Sequence, residues 1–142
     1  MRRIVTGLVL VALLIGVLGA CGGDKPTATD PKVVAENFIK AMGDHENAEA
    51  YKTAYALLSA DTQATVSLED FEKMLRDSWA DAGITAFELQ EAQEAILSKS
   101  GSRASVPYRA TLTTREGTTD VYNALSLVLQ DGQWRVIWPP AR

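Results

Sequence analysis

Residues 103–138 read RASVPYRATLTTREGTTDVYNALSLVLQDGQWRVIW, and this stretch decides the fold. Apolar residues occupy every second position of residues 104–112, as in a strand with one buried face, and the alternation returns further along. A Glu-Gly pair at 116–117 and an Asp-Gly pair at 131–132 separate the runs, and the second pair favours a tight hairpin. Pro107 cannot donate to a strand ladder, so it indicates an edge strand or a bulge. The stretch therefore predicts an antiparallel meander.

Residues with helical spacing precede these strands. Asp30 and Pro31 mark a helix start, because Asp caps free amide groups and Pro fits the first helical position. Gly43 marks the end of that helix. A second helix is predicted over about residues 46–58, and a third over about residues 67–82. Helices followed by strands predict an α+β class, in which three helices pack on one face of a curved antiparallel sheet of about four strands.

The first residues have the order of a secretory signal. Two arginines follow Met1, and an uncharged apolar run occupies residues 7–18. That run is shorter than the roughly 20 residues that a bilayer span needs. Residues 1–20 are therefore predicted to be a signal peptide cleaved after Ala20. An uncleaved anchor is the alternative, because apolar residues extend the run back to Ile4.

The sequence Leu18-Gly19-Ala20-Cys21 resembles a bacterial lipobox. That resemblance implies a diacylglycerol lipid on Cys21, which palmitate labelling would detect, and an extracytoplasmic protein anchored to the bacterial cell membrane. Cys21 is the only cysteine of the chain and can form no internal disulfide. Residues 21–29 are small and polar, and they predict a lipidated flexible tether. Plain secretion without a lipid is the alternative.

Length and charge limit what the remaining chain can be. Removal of residues 1–20 leaves 122 residues, the size of one domain, which is expected over residues 30–142. The leader contains two arginines, so the net charge changes from -4 to -6. An acidic product without a basic cluster is a poor ligand for polyanions, and nucleic acid is therefore not an expected partner.

Several short patterns together resemble one domain family. They are Pro31-x-x-Val34-Ala35-x-x-Phe38, Tyr55-x-Leu57-Leu58-Ser59 and Asp131-Gly132-x-Trp134-x-Val136-x-Trp138. Their order is similar to that of the nuclear-transport-factor-2-like domain near the N-terminus of class B penicillin-binding proteins, including the methicillin-resistance type. The resemblance implies a cone-shaped, cystatin-like or nuclear-transport-factor-2-like fold with an internal pocket. It also implies partners in wall synthesis or peptidoglycan itself, and a link to antibiotic response.

The sequence departs from that family in its catalytic signals. In the family a transpeptidase domain follows the last Trp strand, whereas this sequence ends at Arg142. No Ser-x-x-Lys occurs, so the acylated serine of such enzymes has no counterpart. Covalent penicillin binding is not expected, and no catalytic residue is predicted. The expected function is that of a non-catalytic binding or scaffold module in the cell envelope.

Other kinds of site have few candidate residues. A zinc site needs three or four ligands, and one loop histidine, His45, with one lipidated cysteine cannot supply them. Neither a metal nor any cofactor other than the lipid on Cys21 is predicted. Asp120 is the best candidate for a general base, but the neighbouring Gly-Thr-Thr turn predicts that it is exposed. An isomerase or hydrolase of the same fold is therefore the third hypothesis.

The aromatic residues give the best indication of a ligand site. Four aromatic side chains and one amide are predicted to line the pocket mouth: Tyr51, Tyr55, Tyr108, Trp134 and Asn123. Asn123 is polar on an otherwise aliphatic strand face, and a buried amide needs hydrogen-bond partners that a small ligand could supply. This pattern supports a second hypothesis, a carrier or sensor of a small molecule. Packing of the same aromatic rings in the core is the alternative.

Overall fold

The computed structural model describes residues 29–139, which form four helices and five strands. The helices are α1 Pro31–Gly43, α2 Ala48–Ala56, α3 Ala60–Thr65 and α4 Leu68–Asp81, and the strands are β1 Ile84–Ala92, β2 Ile96–Leu97, β3 Arg103–Thr114, β4 Gly117–Gln130 and β5 Gln133–Val136. The predicted α+β class, with helices over a curled antiparallel sheet, is confirmed. The predicted signal peptide, the lipidation site at Cys21 and nearly all of the predicted tether lie outside the described residues.

The sheet has the order β1-β3-β4-β5, and the short strand β2 pairs with β3 on the same side as β1. The Asp-Gly pair joins β4 to β5, with φ of 50° at Asp131 and 76° at Gly132. Positive φ at both central residues is the geometry of a two-residue turn that matches strand twist. The predicted tight hairpin is therefore confirmed.

The sequence predicts an edge strand or a bulge at Pro107; the residue lies in the interior strand β3, so the first of these two alternatives is wrong. Its N and C=O face the side of β3 that pairs with β1 and β2. On that side the β1 ladder ends at Tyr108 and the β2 ladder starts at Ser105, so Pro107 is opposite the break between them. Its carbonyl accepts a bond from Gln93 N at 2.8 Å. The missing N–H is tolerated because no strand residue requires it there.

Side chains cap the predicted helix starts. Asp30 Oδ1 accepts a bond from Lys32 N at 2.8 Å, and Ser67 Oγ accepts one from Asp70 N at 3.1 Å. Helix α3 is a fourth helix that the sequence did not predict, because its six residues include no large apolar side chain. Ser59 caps it. These caps satisfy amide groups that a helix start leaves without partners.

The core lies between the inner face of the sheet and the helices. Phe71, Leu75 and Trp79 form the buried stripe of α4, as their four-residue spacing predicts. On the sheet, Val106 and Leu125 are register partners and both are buried. Within residues 29–139, no helix is both long enough and apolar enough to span a membrane.

Helix α1 ends at Gly43, but the reason for a glycine at this position differs from the predicted one. It is not among the glycines with positive φ, so it does not act as a left-handed cap. A Cβ at this position would lie 2.5 Å from the carbonyl oxygen of Phe87 in β1. The helix end therefore approaches the strand backbone more closely than any residue with a side chain would allow.

Candidate functional site

A partly enclosed central cavity of about 210 Å³ lies between the sheet and the helices. Its walls come from α1, α4, β1, β3, β4 and the segment after β5. The lining residues are Met42, Trp79, Ile84, Phe87, Tyr108, Leu112, Asn123, Ala124, Leu125 and Trp138. Most of these side chains are apolar or aromatic, which is the usual composition of a small-molecule site.

Two tryptophans form the aromatic walls of the cavity. The Trp79 ring centroid lies 6.2 Å from that of Phe87, with the rings nearly perpendicular. Trp138 contacts the core rings of Phe38 and Phe71 at centroid distances of 6.1 and 6.3 Å. Edge-to-face packing of this kind is favourable and holds large rings in defined positions. The cavity therefore has rigid walls on its helix side.

Three of the residues that line the cavity carry polar side-chain groups. Tyr108 and Asn123 are register partners on β3 and β4. Burial raises the pKa of the Tyr108 phenol above its ordinary value, and the nearby Asn123 amide opposes this rise. The phenol is therefore protonated at neutral pH and can donate a hydrogen bond. Asn123 is exposed at the rim rather than buried, and its Oδ1 accepts a bond from Ala124 N at 2.8 Å.

The third polar group is the indole N–H of Trp138. Its Nε1 is buried and has no hydrogen-bond acceptor among residues 29–139. A buried donor without an acceptor costs about 1–3 kcal/mol. The Trp138 ring lines the cavity, but Nε1 itself is not accessible from it.

The structure places two of the five predicted pocket residues at this cavity and three elsewhere. Tyr108 and Asn123 line it together. Tyr51 is buried in the core and its hydroxyl donates to His45 O at 2.7 Å. Tyr55 donates to Val66 O at 2.8 Å, and Trp134 is buried on β5. These three side chains therefore pack in the domain without lining the cavity.

Sequence reasoning did not assign Trp79 and Trp138 to the pocket. Both continue apolar patterns that also predict core packing, namely the α4 stripe and the alternation through β5. Trp79 occupies the last turn of α4, and Trp138 lies two residues beyond the end of β5. A large aromatic residue at the end of an apolar stripe was the only sequence feature that could have indicated the pocket.

Neither His45, considered above as a zinc ligand, nor Asp120, considered as a general base, lines the cavity. The His45 ring stacks on Trp79 with a centroid distance of 4.3 Å. Asp120 is exposed on the outer face of the sheet, where it accepts a bond from Thr111 Oγ1 at 3.2 Å and lies 3.7 Å from Arg109 Nη1. Within residues 29–139, no three His, Cys, Asp or Glu side chains are close enough to hold a metal ion. The cavity can therefore bind through apolar contacts and two neutral polar side chains, Tyr108 and Asn123.

Several solved structures resemble this one at low sequence identity, and one of those described next has a TM-score above 0.5. A SEC-C motif-containing protein from Psychrobacter arcticus is 13% identical, with a TM-score of 0.54, and the match covers 81% of this chain and 62% of that chain. A de novo designed β-sheet protein is 20% identical, with a TM-score of 0.49, and the match covers 74% and 80%. A polyketide cyclase, so named in a structure from Xanthomonas campestris pv. campestris, is 16% identical, with a TM-score of 0.44 and coverage of 76% and 92%. These similarities concern the fold alone.

The family comparison covers nearly the whole domain. Among curated proteins, no sequence matches this chain significantly. Residues 30–142 match the family described as NTF2-like N-terminal transpeptidase domain, where NTF2 stands for nuclear transport factor 2. The match begins at the cap of α1 and includes each helix and strand of the structure. The chain belongs to the family of NTF2-like N-terminal transpeptidase domains.

Proposed function

We propose that this protein is a non-catalytic lipoprotein of the cell envelope, whose domain is a binding or scaffold module for cell-wall synthesis. The family match over residues 30–142 carries the proposal, because the named family accompanies transpeptidases. The partners would be wall-synthesis proteins or peptidoglycan, and any role in antibiotic response would follow from those contacts. The leader and Cys21 support a location outside the cytoplasm, with a lipid anchor in the bacterial cell membrane.

The outer face of the sheet is the best surface for such a partner. Tyr122 is 74% exposed there, in the middle of β4. The β3 residue opposite it is Arg109, whose Nη1 lies 3.7 Å from Asp120 Oδ2, and Thr111 Oγ1 donates to Asp120 Oδ1 at 3.2 Å. An exposed aromatic ring beside polar and charged groups can stack on a sugar or a peptide at little cost in side-chain entropy. This face therefore supports contact with a peptide or a glycan.

The anchor is tested by palmitate labelling of living cells. The wild type should retain the label, and Cys21→Ser should lose it because the thioether can no longer form. Equal labelling of both proteins would contradict the lipid anchor.

The partner is tested by recovery of envelope proteins from solubilised membranes and by co-sedimentation with purified peptidoglycan. The wild type should recover a wall-synthesis protein or bind the wall, and Tyr122→Ala should reduce that binding. Lys52→Ala, an exposed change on α2, is the matched control. If the wild type binds neither class of partner, the scaffold proposal is wrong.

The central cavity favours a second candidate function, a carrier or sensor of a small molecule. Its volume of about 210 Å³ suits a compact apolar ligand, and the side chains of Tyr108 and Asn123 offer it hydrogen bonds. Native mass spectrometry of gently purified protein should then show a retained mass. Asn123→Leu and Tyr108→Phe should reduce its retention, whereas Tyr122→Phe on the opposite face should not. An unliganded spectrum under several conditions would count against this candidate.

The third candidate, an isomerase or hydrolase, would need an acid or base beside the cavity. Asp120 is on the other face of the sheet, and His45 stacks on Trp79 but does not line the cavity. We therefore give priority to the binding functions.

A further inference from the structure

Strand β2 carries an exposed aliphatic pair. Ile96 is 64% exposed and Leu97 is 55% exposed, the highest values for aliphatic side chains among the described residues. They border a shallow depression of about 300 Å³ that Ile137 also lines. Adjacent aliphatic side chains that remain in water on a small domain indicate a surface that contacts something apolar.

Two cations follow this pair along the chain, and the carboxylate that precedes it, Glu94, is ion-paired with Lys32. Lys99 and Arg103 are exposed in the turn and strand start that follow β2, and residues 96–103 include no carboxylate. This local charge contrasts with the net charge of -4 for the whole chain. Aliphatic side chains flanked by Lys and Arg fit the surface of a bilayer that contains anionic phospholipid, with the cations at the headgroups.

The start of the domain is fixed beside the same strand. Lys32 Nζ, in the first turn of α1, donates to Glu94 Oε1 at 2.8 Å, and Glu94 lies two residues before Ile96. The chain that leads back to Cys21 therefore enters the domain near β2. Nine residue steps separate Cys21 from Asp30, so they can span at most about 30 Å.

We propose that the β2 patch, made of Ile96, Leu97, Lys99 and Arg103, rests on the anionic surface of the membrane that holds the lipid anchor. This inference depends on the proposed lipidation of Cys21. The anchor keeps the domain close to the bilayer, and the patch then sets which end of the domain faces it. Strand β3 has 12 residues and a length of roughly 40 Å, so the hairpin turn at 115–116 lies at the far end of the sheet.

The test is spin labelling of the full-length lipoprotein, purified and reconstituted in vesicles of phosphatidylethanolamine and phosphatidylglycerol. A nitroxide is attached to Ser100→Cys in the β2–β3 turn or, as the matched control, to Glu116→Cys in the distant turn. The label at position 100 should lose several-fold of its collisions with a water-soluble nickel complex, relative to the label at 116. In the Ser100→Cys background, Ile96→Ser with Leu97→Ser should restore those collisions. Both side chains are exposed, so the fold should tolerate the change.

Three results would overturn the inference, and each would point to a different error in it. Equal nickel accessibility at 100 and 116 in vesicle-bound protein would show that the patch does not touch the membrane, while the anchor stands. Dipolar broadening between labels at position 100 would show that a second copy of the chain occupies the patch. If the nitroxide attaches to Cys21 of the wild type and the protein does not float with vesicles, Cys21 carries no lipid. That result would refute the proposed anchor and the patch assignment together.

Discussion

The close approach of α1 to β1 makes Gly43→Ala a decisive substitution. Inside a helix this change normally stabilises a protein by up to about 1 kcal/mol, because alanine loses less backbone entropy on folding. Here the added Cβ would lie 2.5 Å from the Phe87 carbonyl oxygen, well inside the ordinary contact range of 3.4–4 Å. The obstacle is backbone, so no side-chain rotation can relieve it. The two effects have opposite signs, and the geometry decides which one prevails.

Overpacking of this severity costs roughly 1–3 kcal/mol. Gly43 is the last residue of α1, so little gain in helix propensity opposes that cost. We expect Gly43→Ala to lower the free energy of unfolding by about 1–2 kcal/mol, because overpacking is only partly relieved by small backbone shifts. For a domain of this size, that loss lowers the melting temperature by roughly 5–10 °C. Since Met42 and Phe87 line the central cavity, the same shift should also displace one of its walls.

The measurement is thermal and urea unfolding followed by circular dichroism. Asn37→Ala is the matched control, because residue 37 is exposed on the same helix and the change should stabilise by about 0.5 kcal/mol. Phe87→Leu combined with Gly43→Ala should recover none of the loss, since the clash is with the carbonyl. If Gly43→Ala proves as stable as the wild type or more stable, the close approach is not present and the reasoning is wrong.

Three further predictions concern single side chains. Burial raises the pKa of Tyr108, so the phenol ionises at lower pH in the unfolded chain than in the folded domain. The free energy of unfolding should therefore be highest below pH of about 10 and should fall as pH rises through the folded pKa. Urea unfolding at a series of pH values should show this decline, and Tyr108→Phe should flatten it. Ser59 Oγ lies 2.9 Å from Thr62 Oγ1 in a buried site that caps α3, so Ser59→Ala should cost about 1–2 kcal/mol of unfolding free energy; a loss below the error of the denaturation curve would contradict this. Gly132 has φ of 76°, so Gly132→Ala should cost about 1 kcal/mol, and an unchanged melting temperature would contradict the turn geometry.

The candidate site was only partly predictable from the sequence. The alternation on β3 and β4 is local, and Tyr108 and Asn123, which it assigns to the apolar faces of their strands, are register partners in the sheet. The positions of Tyr51 and Tyr55 depend on hydrogen bonds to the carbonyl oxygens of His45 and Val66. Both of these residues lie outside α2, the helix that carries the two tyrosines. Helical spacing shows that a side chain faces inward, but not whether core atoms or an open cavity lie opposite it.

The sequence by itself determined the α+β class, the starts of α1 and α4 and the Asp-Gly hairpin. Each of these depends on residues a few positions apart, so short-range periodicity and capping are sufficient. Only the tertiary structure decided that Pro107 belongs to an interior strand and that Trp79 and Trp138 form the cavity walls. It also decided why Gly43 must be glycine. These features depend on which distant backbone or ring arrives at a given position, and that is set by how the helices pack on the sheet.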